Sequence, residues 1–277
     1  MSSIEKVFRE WGLPVNFLDR YWRRTHVAGQ ITDRAHASGG LSELEIDSLL
    51  RQGLRSDRVS ISTRGTYHHP IEYTTTKIIA GQPIADFIDP DRVRVLVERG
   101  ATAILANVEL WIPPVTNFAH LLADDFGCEV QAHIFLTGPE RGGLVPHADG
   151  EDNFLIQVTG TKTWSLWKQS GVHAQRMDGE TLGAPTAAVV LAPGDVLYIP
   201  VGWVHSAIAG PDGSTHITYQ IVPTPLSDAV LDQLADELEP LLGDRLLGAP
   251  SNGALSAEDA SDIAKKIVAL LEKSEQS

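Results

Sequence analysis

The stretch PGDVLYIPVGWVH, residues 193–205, is the sequence that says most about the fold of the chain around it. It contains a proline-glycine turn, an apolar run of strand length and a second turn, and it ends in His205. Short runs of this kind, separated by clusters of Gly, Pro and Asp, continue over residues 128–223. Strands of this length and spacing are typical of a jelly-roll barrel. We therefore expect a mainly β fold with a double-stranded β-helix whose core covers about residues 100–223.

Helices are expected on both sides of these strands, because capping patterns and 3.6-residue apolar periodicity occur there. They are expected at about residues 42–52, 89–100, 115–126, 227–242 and 256–273. The last two are amphipathic, and their apolar stripes either pack on the chain's own barrel or form a homodimer interface. The pattern leaves both open. We divide the chain into a barrel domain, residues 1–225, and a helical segment, residues 226–277.

A set of metal ligands is expected where the barrel strands end. His147 and Asp149 stand two residues apart, and alternate residues of a strand point the same way, so both side chains can reach one ion. His205 supplies a second imidazole next to a turn. In a chain with ten histidines a His-x-Asp pair is weak evidence alone, and the setting of His205 strengthens it. Two imidazoles and one carboxylate form the facial triad of non-haem Fe(II), which leaves positions open for O2 and a chelating co-substrate. We predict that His147, Asp149 and His205 are the metal ligands and form the catalytic centre.

The sequence around this triad resembles the JmjC branch of the cupin oxygenases, in particular the ribosomal oxygenases and the asparaginyl hydroxylase that acts on hypoxia-inducible factor. The resemblance is carried by residues 130–137, 147–149, 153–164, 193–205 and 214–218, and more weakly by 17–22 and 100–102. It implies a cupin/JmjC barrel over residues 1–225. It also implies Fe(II), O2 and 2-oxoglutarate as cofactors and co-substrates for side-chain hydroxylation, with succinate and CO2 as co-products.

Lys162 is expected to bind the co-substrate. In the resembling enzymes a lysine fifteen residues after the first iron histidine binds the far carboxylate of 2-oxoglutarate, and Lys162 stands at that place. The residues give independent support, since a lysine on a strand face with Trp164 and Leu166 is costly to bury without an anionic partner. The alternative is a side chain that extends from the barrel mouth into solvent.

Two further residues are expected near the co-substrate. Asn153, six residues after His147, stands where the asparaginyl hydroxylase has an asparagine that contacts the co-substrate. It could equally cap its own turn. Thr218 shares a strand face with Gln220, and that face either lines the pocket or is ordinary polarity at a solvated edge.

The strand at residues 130–137 has one apolar face, and its other face carries His133 and Phe135. We expect that second face to line the cavity. The ribosomal oxygenases usually have asparagine at the place of His133 and often tyrosine at that of Phe135, so contact of either residue with 2-oxoglutarate stays open. A hydrogen-bonded His133 is preferred over a fourth metal ligand.

Composition favours a soluble, cytoplasmic enzyme. The chain has 36 acidic and 22 basic residues and a net charge of -14, which argues against nucleic acid as a partner and suits a basic protein or peptide substrate. The single cysteine, Cys128, excludes an internal disulfide and a thiolate zinc cluster. The sequence has no apolar run of about 18 residues, so no membrane span is expected.

Three functions fit these observations. The leading hypothesis is an Fe(II)- and 2-oxoglutarate-dependent dioxygenase that hydroxylates an amino-acid side chain in a protein, a peptide or a natural-product precursor. A cupin module that binds a metal or a small acid without turnover is the alternative from another class. A cupin isomerase or ring-cleaving enzyme is the third, and it is disfavoured because residues 150–153 do not supply the usual histidine and glutamate motif. Residues 51–73, which resemble a lid, do not identify the substrate.

Overall fold

The computed structural model describes residues 3–31, 43–142, 144–168, 182–223 and 264–265. The chain divides into two units, Met1–Pro223 and Thr224–Ser277. The helices and dimer element predicted for residues 226–277 lie outside the described residues, apart from a helical pair at 264–265.

Strands dominate the first unit, as the sequence predicts. They are β1 (Val27–Gln30), β2 (Val59–Thr63), β3 (Thr66–Tyr67), β4 (Thr74–Ile79), β5 (Gln82–Ile88), β6 (Thr102–Leu105), β7 (Val130–Thr137), β8 (Asp152–Trp167), β9 (Ala187–Leu191), β10 (Asp195–Ile199) and β11 (Val204–Ile221). Nine of them form one antiparallel sheet in the order β1-β10-β8-β11-β7-β6-β2-β3, with β9 also paired to β8. Strands β4 and β5 form a separate hairpin.

Helices lie between these strands where capping residues allow them. They are α1 (Ser3–Glu10), α2 (Phe17–Arg20), α3 (Glu43–Arg51), α4 (Pro90–Glu98) and α5 (Pro113–Phe126), with short 3-10 turns at Pro70–Glu72 and Val108–Leu110. The side chain of Asp89 caps α4, and Gly127 ends α5 with a φ of 64°. The helices predicted at 42–52, 89–100 and 115–126 are present, while α1 was not predicted. No helix in the described ranges has the length and apolarity needed to cross a bilayer.

An aromatic cluster joins the amino-terminal segment to one face of the large sheet. Phe17 of α2 packs edge-on against Tyr198 of β10 with ring centroids 4.9 Å apart, and Phe8 of α1 lies 4.5 Å from Phe17. Burial of such rings contributes about 1.5–3 kcal/mol each to folding. The amino-terminal residues therefore complete the barrel core.

The side chains on the other face of the same strands line a cavity. On β7, Val130, Ala132 and Ile134 are buried in the core, and His133 and Phe135 line the cavity instead. The alternation predicted for residues 130–137 therefore places these two residues on the cavity side.

Candidate metal centre

A cavity of about 470 Å³ opens between β7, β8, β11 and the segment that precedes β8. It is lined by His147, Asp149 and His205 and also by Lys162. The remaining predicted site residues line it as well, namely His133, Phe135, Asn153 and Thr218. The structure thus brings all eight predicted residues to one cavity.

The three predicted metal ligands converge. One ligand atom from each of His147, Asp149 and His205 lies within 4.8 Å of the others. Nε2 of His147 is 3.6 Å from Oδ1 of Asp149, and Nε2 of His205 is 3.5 Å from Oδ2. Among the described residues, these three are the His, Cys, Asp or Glu side chains whose ligand atoms lie close enough together to hold one metal ion.

The prediction that His147 and Asp149 lie on a regular strand is wrong. Residues 144–151 form no strand, and His147 makes a single isolated bridge with His205, whose two amide-to-carbonyl bonds measure 3.1 and 2.8 Å. Pro146 lacks an amide hydrogen, so an extended ladder is unfavourable there. Gly202 donates its amide to the carbonyl of Asp149 at 3.0 Å. The bridge and this turn contact therefore bring the three side chains together.

Both imidazoles are held in the tautomer that a metal requires. Nδ1 of His147 lies 2.9 Å from the carbonyl oxygen of Val145, and Nδ1 of His205 lies 3.1 Å from that of Trp203. Because a carbonyl only accepts, each Nδ1 carries the proton and each Nε2 offers a lone pair. Burial lowers the pKa of His205, although Asp149 acts in the opposite direction. Two neutral imidazoles and one carboxylate fit Fe(II).

Asn153 contacts the triad directly. Its Nδ2 donates to Oδ2 of Asp149 at 2.9 Å, and its Oδ1 accepts from Nε2 of Gln220 at 3.1 Å. Its side chain is therefore held by the carboxylate of Asp149 and by β11. Contact with a co-substrate stays a prediction.

Lys162 is buried on β8 with 5% of its surface exposed, so it does not extend into solvent. Its Nζ donates to Oγ1 of Thr137 at 3.0 Å and lies 5.6 Å from the centre of the Trp164 ring. Burial lowers the pKa of Lys162 to about 7. Lys162 forms no ion pair in the part of the chain that the structure describes. An anionic ligand in the cavity would compensate for burying its charge.

His216 is a second polar group beside Lys162. Its Nδ1 lies 3.4 Å from Nζ of Lys162, and its ring stacks on Phe135 at 4.7 Å and 3°. Burial, followed by the charge of Lys162, lowers the pKa of His216 well below its ordinary value. With Nδ1 accepting from the lysine, the neutral ring carries its proton on Nε2. The pairing of β11 with β7 sets His216 against Phe135.

His133 is hydrogen-bonded and lies outside the metal-ligand group. Its Nδ1 accepts from the amide of Asn107 at 3.2 Å. Burial lowers the pKa of His133. Thr218 pairs with His133 across β11 and β7.

An ion pair between the exposed Arg23 and the buried Asp152 supports the residues next to the metal centre. Asp152 is fully buried and accepts from Nε of Arg23 at 2.9 Å, from the Tyr198 hydroxyl at 2.6 Å and from the amide of Val201 at 3.2 Å. It thus connects β8, which follows Asp149, to the turn before His205. Sequence reasoning missed this group because Arg23 and Asp152 are 129 residues apart.

Sequence comparison relates the chain to the JmjC domain family, which matches residues 112–227. The Aedes aegypti protein named bifunctional lysine-specific demethylase and histidyl-hydroxylase NO66 is 29% identical over 223 residues, or 74% of this chain and 32% of the relative. The protein of that name from Drosophila persimilis is 30% identical over 210 residues, or 73% and 29% of the two chains. Ribosomal oxygenase 1 of Rattus norvegicus is 28% identical over 216 residues, or 72% and 34%. The chain spans about a third of the length of these curated relatives.

The fold is shared with a solved ribosomal oxygenase. YcfD of Escherichia coli, solved in complex with cobalt and 2-oxoglutarate, aligns with a TM-score of 0.56 at 17% identity, over 94% of this chain and 67% of that chain. The expected jelly-roll class is confirmed by this likeness. Residues 112–227 therefore match the JmjC domain family, and the proteins to which the chain is similar include ribosomal oxygenases.

Proposed function

We propose that the protein is an Fe(II)- and 2-oxoglutarate-dependent dioxygenase that hydroxylates an amino-acid side chain of a protein or peptide substrate. One observation carries the proposal. The triad of His147, Asp149 and His205 and the buried Lys162 line the same cavity, with Trp164 between them. A metal centre and a buried cation in one pocket are the two sites that a metal-chelating dicarboxylate needs.

The two ends of the cavity would bind different groups. His147, Asp149 and His205 would hold Fe(II), and Lys162 with His216 would bind the far carboxylate of 2-oxoglutarate. The bound metal and co-substrate would supply the oxidising chemistry, in which 2-oxoglutarate, O2 and a C–H bond of the substrate give succinate, CO2 and a hydroxylated carbon.

The chain's own residues position these groups and exclude water. Trp164 packs against the rings of His205 and His216 at 5.8 and 5.3 Å, and Leu155 and Ile199 extend the apolar wall. An apolar wall between the two polar ends keeps water from the reacting centre. It also strengthens the charge interaction at Lys162.

A protein substrate is supported by the relatives, whose names give histidyl hydroxylation and lysine demethylation as their activities. The net charge of -14 suits a basic protein or peptide. We infer hydroxylation because the resemblance to hydroxylases covers both the triad and Lys162. A natural-product precursor is the alternative substrate class.

The test is a mass screen of basic peptides and free amino acids with Fe(II), 2-oxoglutarate and ascorbate. We expect one substrate class to gain one oxygen atom and to stimulate succinate formation. His205→Ala should abolish both. His120→Ala, a change at an exposed histidine of α5, is the matched control and should leave both unchanged. Equal succinate formation by wild type and His205→Ala would overturn the proposal.

A further inference from the structure

The ε-amine of Lys162 lies in the cavity among groups that do not compensate for its charge. Lys162 is 5% exposed and lines the cavity, and it forms no ion pair in the part of the chain that the structure describes. Burial without a counter-ion favours the uncharged amine. Nζ lies 3.0 Å from Oγ1 of Thr137 and 3.4 Å from Nδ1 of His216. These two acceptors take both hydrogens of a neutral amine, so its lone pair stays available to a ligand in the cavity.

Carbon dioxide is a ligand that this lone pair fits. An uncharged lysine in a desolvated pocket is a nucleophile. CO2 is a small electrophile without charge, so it enters a cavity of about 470 Å³ without the cost of desolvating an ion. The reaction of the proposed function also releases CO2 into this cavity. The amine and its reactant would therefore meet in one pocket.

We propose that Lys162 is a carbamylation site, whose amine adds CO2 when no 2-oxoglutarate is bound beside it. A bond forms between Nζ and the carbon of CO2, and one C=O electron pair moves to the oxygen. A proton leaves Nζ along its hydrogen bond to Nδ1 of His216. The products are a carbamate on Lys162 and an imidazolium at His216, so that atoms and charge balance.

His216 makes this product favourable inside the protein. A carbamate alone would be a buried anion, whereas the proton on His216 turns it into an ion pair without net charge. The ring of His216 stacks on Phe135 at 4.7 Å and 3°, and an aromatic face stabilises a cation placed over it. His216 is therefore both the proton acceptor and the counter-ion.

An unpaired donor in the same wall also points to an anion at this place. Nε1 of Trp164 is buried and has no hydrogen-bond partner among the described residues. Trp164 lines the cavity, and Nζ of Lys162 lies 5.6 Å from its ring centre. A buried indole N–H usually has an acceptor. A carbamate on Lys162 brings two acceptor oxygens to this wall.

The carbamate and 2-oxoglutarate would exclude each other. Both place an anionic group beside Lys162, and a carbamylated lysine no longer offers a cation to the far carboxylate of the co-substrate. This competition rests on the proposed function, whereas the addition of CO2 depends on Lys162 and His216 alone. Carbamylation would thus hold the protein in a form that does not bind its co-substrate.

The test uses the full chain loaded with Co(II), without O2, in a buffer of isotopically labelled bicarbonate and dissolved CO2. Triethyloxonium traps a carbamate as a stable ethyl ester, and peptide mass mapping then locates the label. We expect label on Lys162 and its loss from Lys162 after saturation with 2-oxoglutarate. His216→Phe keeps a ring and removes the base, so it should lose the label. Lys77→Met, a change at an exposed lysine of β4, is the control and should keep it.

Calorimetry of 2-oxoglutarate binding is the second measurement. When CO2 is present at its own dissociation constant, the apparent affinity of wild type for 2-oxoglutarate should fall about twofold. Lys162→Arg retains a cation that does not lose its proton, so CO2 should leave its affinity for 2-oxoglutarate unchanged. If His216→Phe does not fold, mapping of the wild-type protein and the Lys162→Arg titration decide.

A wild-type protein without label on Lys162 would overturn the proposal, and full label in folded His216→Phe would overturn the role of His216. If Lys162 stays unlabelled while the wild-type protein binds 2-oxoglutarate, carbamylation alone fails. If Lys162 is labelled and saturating 2-oxoglutarate leaves the label in place, carbamylation stands. The proposed binding of the co-substrate at Lys162 then fails.

Discussion

The neighbours of Lys162 are neutral, so its protonation state depends directly on whether an anion binds beside it. Thr137 and His216 offer oxygen and nitrogen lone pairs, and Trp164 offers a ring face. None of them carries the negative charge that a buried ammonium favours. Burial therefore lowers the pKa of Lys162 to about 7.

This pKa predicts proton uptake when 2-oxoglutarate binds. A pKa of about 7 leaves Lys162 largely neutral at mildly alkaline pH. A dianion that binds beside Lys162 should raise this pKa, so that the binding of one 2-oxoglutarate takes up nearly one proton from solvent. The uptake should vanish below neutral pH, where Lys162 is already charged. Calorimetry of the Co(II)-loaded protein in buffers of different ionisation enthalpy measures it.

Lys162→Met supplies the control for that measurement. It should abolish the uptake and weaken 2-oxoglutarate binding by about 2–5 kcal/mol, because a desolvated charge pair is lost, while metal affinity changes little. Binding heats of wild type that are the same in every buffer would contradict the pairing of Lys162 with the co-substrate.

At the scale of the element, the turn between β10 and β11 sets the position of His205. Gly202 is buried there with a φ of 76°, in the left-handed region, and its amide holds the carbonyl of Asp149. Gly202→Ala should cost about 1–2 kcal/mol of stability and also weaken metal binding. Gly81→Ala, at a φ of 78° in the β4–β5 turn, should cost similar stability and leave metal binding unchanged. Denaturant unfolding and Co(II) titration separate the two effects, and equal metal affinities would refute the role of this turn.

The buried Asp152 supports the same turn. Burial raises the pKa of Tyr198, whose hydroxyl therefore keeps its proton and donates to Asp152. Tyr198→Phe should lower the free energy of unfolding by about 1.5–3 kcal/mol, because a buried carboxylate loses a donor. Tyr21→Phe is the control, since the hydroxyl of Tyr21 has no hydrogen bond among the described residues. Equal unfolding free energies for the two variants in urea would contradict this account.

The sequence patterns predicted those strands and helices that are marked by local signals such as turns and caps. The strands of residues 128–223 follow from apolar runs between turns, and α4 and α5 follow from Asp89 and Gly127. The segment at His147 departs from the predicted strand because Pro146 interrupts the ladder. The contacts of Asp152 with Arg23 and of Asn153 with Gln220 depend on strand register and on partners far apart in sequence, which no local pattern encodes.

At the scale of the whole molecule, all predicted site residues lie in the unit Met1–Pro223. Homodimer formation through residues 226–277 and a cytoplasmic location stay predictions from the sequence. Light scattering of the full chain and of a chain ending at residue 223 tests the prediction of a homodimer. The dimer hypothesis predicts a dimer that becomes a monomer on truncation with metal affinity retained, and a monomeric full chain would refute it.

One cavity should bind a metal and 2-oxoglutarate together. Anaerobic titration of the Fe(II)-loaded protein with 2-oxoglutarate measures this joint binding, because a 2-oxo acid chelated to Fe(II) has a charge-transfer absorption band. We expect a band that saturates at one 2-oxoglutarate per chain, requires more co-substrate in Lys162→Met and is absent in His205→Ala. A wild-type protein without the band, or a His205→Ala variant with an undiminished band, would show that the cavity does not bind the two together.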